Sequence, residues 1–155
     1  MDIQALKSIF EDFDLAAFLP ELTTVIGWVE SLLRLCVMAA PVILLVLGLV
    51  YLVRPPKEAN YLLGYRFWWS MASLDAWQFT HKLVGYVWSA LGLVLTIIML
   101  FVTNSFRKLE PMDMVWRAAK AMLWELGLIA VACIAVNIVV MVTFDKDGFR
   151  RKEEY

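Results

Sequence analysis

Three long runs of apolar residues, separated by short polar segments, dominate the pattern of the chain. Each run reaches the roughly 20 residues that an α-helix needs to cross the hydrocarbon core of a bilayer. The runs predict transmembrane helices at residues 35–53, 83–103 and 126–144. Together they predict an all-α integral membrane protein, with a three-helix transmembrane domain at residues 35–144.

The first 34 residues have a different pattern, which predicts an interfacial N-terminal region. Through residues 1–19, apolar positions recur at helical spacing and acidic residues stand between them, as is typical of an amphipathic helix at a membrane surface. Pro20 is expected to break this helix or to begin another one. At the other end of the chain, residues 145–155 predict a short, charged and solvated tail.

Local signals predict that the second and third helices begin before their spans. Ser73 suits the N-cap of the second helix and Asp75 its first turn. Pro111 suits the first turn of the third helix. Small residues on nearby faces of the second helix predict close contact with another helix, and these are Gly85, Ser89 and Gly92.

Composition and charge agree with a membrane protein. The chain is 62% hydrophobic with a mean hydropathy of +0.72, well above a soluble domain. Its net charge of -1 favours no nucleic-acid partner. With three spans, the first loop and the tail share one side and carry more lysine and arginine than the other side, which favours a cytoplasmic location for them.

The segment at residues 60–85 carries far more sequence detail than a connector between two helices needs. It contains a dense group of aromatic residues around Arg66, which could stack on a ring. Gly64 indicates a backbone turn just before Tyr65. Aromatic residues and arginine often dominate binding interfaces, so the segment predicts a recognition surface. Ordinary placement of aromatic residues at the membrane–water interface is the other explanation.

Catalytic and metal chemistry find little support in the sequence. The chain has one histidine, and both Cys36 and Cys133 lie within apolar runs, so no set of metal ligands is evident. Ser70 and Ser73 precede His81, but no acid is placed to orient such a pair. There is also no glycine-rich phosphate-binding loop. We therefore expect a non-enzymatic protein without catalytic residues, metal or cofactor.

Four further polar residues are additional site candidates because of their position near or within the spans. His81 and Lys82 should project beyond the bilayer at the start of the second helix. Glu125, at the edge of the third apolar run, is expected to reach the headgroups or to pair with nearby basic residues, Arg117 or Lys120. Asn137, deep in that run, is expected to form a hydrogen bond across a helix pair.

The spacing in residues 60–85 resembles the signature of the SdpI family of small bacterial membrane proteins. The matching positions are Asn60, Gly64-Tyr65-Arg66, Ser70-Met71, Trp77 and Lys82-Leu83-x-Gly85. The resemblance implies a functional surface formed by Asn60, Gly64, Tyr65, Arg66 and Trp77. One position departs from the signature, because Phe67 stands where the family usually has threonine.

The resemblance also implies a function and a location. It implies a multi-pass protein of the bacterial inner membrane that confers immunity to a membrane-active peptide toxin. It further implies signalling in which the protein holds a partner, such as a transcriptional repressor, at the membrane. The expected partners are membrane lipid, the toxin, this partner protein and other subunits of a homo- or hetero-oligomer. The alternative is a structural or accessory subunit of a larger transporter or secretion complex, which the long helices and amphipathic N-terminus also suit.

Overall fold

The computed structural model describes residues 15–57 and 64–151, with side chains described from Thr23 onward. This part of the chain contains three long helices, α1 (Leu15–Val53), α2 (Leu74–Asn104) and α3 (Pro111–Thr143). Two short 3₁₀ turns, Trp69–Met71 and Ser105–Lys108, lie between them. All three long helices are long and apolar enough to cross a membrane, which confirms the predicted all-α fold.

Helix α1 is longer than predicted, because it runs without interruption from Leu15 to Val53. The break expected at Pro20 is therefore wrong. Long apolar helices tolerate proline, since local adjustments and neighbouring groups satisfy the carbonyl that loses its donor. No helix end separates residues 15–34 from the first span. Of the predicted amphipathic helix at residues 1–19, residues 1–14 lie outside the described part of the chain.

The starts of α2 and α3 agree with the sequence signals. The backbone N–H of Ala76 donates to Oγ of Ser73 at 3.1 Å, so Ser73 is the N-cap of α2. Pro111 occupies the first turn of α3, where its missing N–H removes no helical hydrogen bond. Both helices therefore begin well before the apolar runs at residues 83–103 and 126–144.

Helices α1 and α2 pack closely along a line of glycines. A Cβ atom added at Gly92 would lie 2.5 Å from the backbone nitrogen of Leu45 and 2.7 Å from its Cα. Gly85 lies against Leu52, whose side chain would be 3.0 Å from an added Cβ, and Gly48 of α1 faces the backbone of α2 at Ser89. The contacts pair rising numbers in one helix with falling numbers in the other, so the two helices are antiparallel. This confirms the close helix contact predicted from the small residues of α2.

Buried apolar side chains form one cluster toward each end of the bundle. One cluster joins all three helices and the second 3₁₀ turn, and its members are Val37, Met99, Phe106, Met114, Ala118 and Ala121. The other joins α2 and α3 at the end of the bundle that carries the first loop, and its members are Ala76, Val84, Val136, Val140 and Phe144. Many large apolar side chains outside these clusters point outward, for example Phe101, which is 74% exposed. A bilayer is the environment in which such a surface is stable.

The charged tail is not simply solvated, because residues 145–151 fold back onto the first loop. Oγ of Ser73 donates to the carbonyl oxygen of Gly148 at 2.7 Å. Nε of Arg150 lies 2.9 Å from Oδ2 of Asp75, so Asp75 is an ion-pair partner as well as a first-turn acid. The Arg150 guanidinium also lies over the rings of Phe79 and Phe144. The first loop and residues 145–151 therefore lie at the same end of the bundle, as the three-span topology predicts.

Candidate functional site

Tyr65 connects the loop between α1 and α2 to both α2 and α3. Its backbone N–H donates to Nε2 of His81 at 2.9 Å. Its hydroxyl donates to Oδ1 of Asn137 at 2.8 Å and lies 3.2 Å from the carbonyl oxygen of Cys133. Burial, together with the interaction with Cys133, raises the pKa of Tyr65 to about 12, so the phenol keeps the proton that it donates. One residue thus fixes the loop against two helices.

His81 is fully buried, and its contacts with the loop and with α2 fix the tautomer of its ring. Its Nδ1 lies 2.8 Å from the carbonyl oxygen of Trp77, one helical turn earlier. A carbonyl oxygen only accepts and the backbone N–H of Tyr65 only donates, so a neutral ring with its hydrogen on Nδ1 satisfies both contacts. His81 is therefore an anchor for the loop rather than a free side chain at the surface.

Gly64 lies where the loop packs directly against α2. Its φ of +133° is a conformation that side-chain-bearing residues rarely adopt. A Cβ atom there would lie 2.7 Å from both Nε2 of His81 and the Trp77 ring. The turn predicted from Gly64 is thus present, and it brings Tyr65 within hydrogen-bond distance of His81.

Trp77, which the resemblance implies as part of the functional surface, is fully buried rather than exposed. Its Nε1 donates to the carbonyl oxygen of Pro56 at 2.9 Å, which ties the chain that leaves α1 to α2. The centroid of its indole lies 4.1 Å from that of the His81 ring. The large apolar ring takes this interior position because its single polar group finds a backbone acceptor there. Trp77 therefore supports the candidate site from its buried side.

Ser70 holds the 3₁₀ turn that follows the motif. Its buried Oγ accepts from the backbone N–H of Phe67 at 3.0 Å and donates to the Phe67 carbonyl oxygen at 2.8 Å. Phe67, at the position where the resemblance implies a threonine, stacks on Trp69 with ring centroids 5.5 Å apart. These contacts give Ser70 and Phe67 structural roles in the loop.

Arg66 lies between these anchored residues and is exposed. It makes no hydrogen bond or ion pair with any other residue that the structure describes, and its guanidinium lies over no described ring. The stacking predicted for Arg66 is therefore not observed, and Arg150 is the arginine that lies over aromatic rings. The structure thus places a guanidinium that has no partner among the described residues on a backbone that Tyr65 and Ser70 fix on either side.

The remaining candidates fall into different places. Asn137 forms the expected long-range hydrogen bond, although its partner is Tyr65 of the loop rather than a residue of another helix. Lys82 is exposed and lies apart from these contacts, and Asn60 lies outside the described residues. Glu125 is only 2% exposed, so the prediction that it reaches the headgroups or pairs with Arg117 or Lys120 is wrong. It makes no ion pair with any described residue, and its Oε1 has no hydrogen-bond partner among them.

Removing the Tyr65 hydroxyl tests this arrangement. We expect Tyr65→Phe to keep the edge contact between the ring and Trp88 but to leave Asn137 without its donor, which lowers the free energy of unfolding by about 1–2 kcal/mol. Tyr86→Phe is the matched control, because Tyr86 is 67% exposed. Denaturant unfolding in mixed micelles measures both variants. Equal stability of the two variants would contradict the assigned hydrogen bond.

The fold and the site define a small α-helical membrane protein in which a short loop motif is anchored to two long helices. The family model of the SdpI/YfhL protein family matches residues 57–143, which is more than half of the chain. The chain therefore belongs to the SdpI/YfhL family. The matched range extends beyond the loop motif to the last residue of α3, so it includes Asn137. Neither a curated protein nor a solved structure matches the chain.

Proposed function

We propose that this member of the SdpI/YfhL family is a non-enzymatic, multi-pass protein of the bacterial inner membrane. It confers immunity to a membrane-active peptide toxin, signals by holding a partner protein at the membrane, or does both. The observation that supports this most directly is the exposed Arg66, which lies in the range that the family model matches and has no partner among the described residues. Gly64, Tyr65, Trp77 and His81 position it.

The chemistry of arginine suits recognition of a peptide. A guanidinium presents several N–H donors in one plane and pairs with a carboxylate or peptide carbonyl through two parallel hydrogen bonds. The backbone on either side of Arg66 is held by Tyr65 and Ser70 in the free protein. Because the backbone at Tyr65 and Phe67 is already held, little conformational entropy is lost there when a peptide binds. Arg66 is thus the contact residue in this proposal.

Replacement of Arg66 tests the proposed function. We expect Arg66→Ala to abolish toxin protection and signalling in cells, with membrane abundance unchanged, because no described contact is lost. Arg66→Lys should also lose most activity, since lysine carries the charge without the planar set of donors. Lys57→Ala is the matched control, because Lys57 is an exposed cation of the same loop that belongs to no candidate site. Protection and membrane abundance are measured in parallel.

Two results would contradict this role for Arg66. Full activity in the lysine variant would indicate that Arg66 only extends to lipid headgroups, which requires a long stem and a charge. A fall in abundance in both variants would make Arg66 a residue required for folding, and the recognition site would then be withdrawn.

An accessory subunit of a larger transporter or secretion complex is the second candidate function. The observation that favours it is the outward face of α3. Only 11% of the most apolar stretch of α3 is buried by the rest of the chain. Such a face suits a partner helix as well as lipid. Expression of the protein alone separates the two functions: an immunity protein protects the cells, whereas an accessory subunit has no effect without its complex.

A further inference from the structure

Glu125 is a buried carboxyl group that the rest of the described chain leaves unpaired. It lies 14 residues after the start of α3, or about 21 Å along the helix. Its side chain is 2% exposed, and Oε1 has no hydrogen-bond partner among the described residues. An ionised carboxylate in an apolar environment costs several kcal/mol unless it is paired, so Glu125 either keeps a proton or is stabilised by a cationic partner.

A groove beside Glu125 has the dimensions of a small-ligand site. It has a volume of about 550 Å³ and lies between α1 and α3. Its walls are apolar, with Ala40 on α1 and Met122 and Ile129 on α3, and Glu125 is the one charged residue among the described residues that line it. Sites for small ligands commonly have volumes of about 300–1,000 Å³ and combine apolar walls with a few polar groups. A whole partner helix is larger than this.

The carboxyl group of Glu125 indicates which kind of ligand suits the groove. A lipid hydrocarbon chain would cover the apolar walls but would leave Oε1 of Glu125 without a partner. A protonated amine at the end of such a chain provides both the missing charge and hydrogen-bond donors. We propose that this groove binds a single-chain amphiphile with an ammonium head, which pairs with Glu125. Asn137 is about 18 Å further along α3, so this site is separate from Arg66 and does not depend on the proposed function.

Methionine-methyl NMR of the full chain in phosphatidylcholine nanodiscs tests the proposal, with dodecylammonium as the probe. Met122 lines the groove, whereas Met112 is 68% exposed at the start of α3 and serves as an internal control. We expect dodecylammonium to shift the Met122 signal saturably while the Met112 signal stays unchanged. Dodecanol, which has the same chain without the charge, should bind about tenfold more weakly. In Glu125→Gln this difference between the two probes should disappear.

Several results would overturn the proposal. Equal affinity for dodecanol and dodecylammonium would assign the groove to hydrocarbon chains alone, and an unchanged preference in Glu125→Gln would exclude Glu125 as the partner. A Met122 signal that does not shift would exclude amine binding. A leucine-rich helical peptide with one lysine is the competitor. If it displaces the amine at peptide concentrations lower than the amine concentration, the groove would be assigned to a partner helix. If Glu125→Gln fails to fold, the two probes compared on the natural chain still decide.

Discussion

Replacing Gly64 by alanine is expected to displace the signature loop and to abolish function. The new Cβ would lie 2.7 Å from Nε2 of His81 and from the Trp77 ring, at a φ of +133°. Neither neighbour can move freely, because both side chains are buried and hydrogen-bonded. The loop must therefore shift and break the bond between Tyr65 and His81. Strain and overpacking together should cost about 3 kcal/mol in local stability.

Hydrogen exchange of a peptide covering the Tyr65 amide measures this effect directly. Gly64→Ala should raise its exchange rate by about a hundredfold, which is the equivalent of roughly 3 kcal/mol. Gly127→Ala is the matched control, because a Cβ there meets nothing within 4 Å. The proposed protection against a peptide toxin is followed in the same variants. Unchanged exchange and full protection in Gly64→Ala would show that the loop does not need this close approach.

Replacing Gly92 by leucine is expected to separate α1 from α2. The nearest atoms to a new Cβ are the backbone nitrogen of Leu45 at 2.5 Å and its Cα at 2.7 Å. Backbone atoms of a long helix cannot rotate away as a flexible side chain can, so the helices must move apart along their shared face. Loss of this packing should lower the free energy of unfolding by at least about 3 kcal/mol.

Gly27→Leu is the control for that experiment, because Gly27 of α1 has no atom within 4 Å of its potential Cβ. Unfolding by sodium dodecyl sulfate in mixed micelles compares the two variants with the natural chain. We expect a large loss of stability for Gly92→Leu and almost none for Gly27→Leu. Similar stability of both variants would mean that α1 and α2 are not in close contact at Gly92 in the membrane.

Part of the candidate site could be predicted from local sequence. Gly64 indicated a turn, and the motif spacing around Tyr65 and Arg66 led to the family that residues 57–143 match. The inward positions of Trp77 and His81 could not be predicted, because an aromatic residue near a membrane surface suits an interface and an interior equally well. Their burial depends on a carbonyl at Pro56 and an amide at Tyr65, which reach α2 only when the loop folds onto it.

The sequence by itself determined the number of long helices and the starts of two of them. Apolar length, the Ser73 cap and Pro111 act over one or two helical turns, so they need no distant partner. Only the tertiary structure decided what Tyr65, Asp75 and Glu125 contact. Tyr65 bonds to Asn137 across 72 positions and Asp75 pairs with Arg150 across 75, whereas Glu125 meets no partner at all among the described residues. Pairings over such distances depend on how the helices pack and where the chain folds back, which no local pattern of residues specifies.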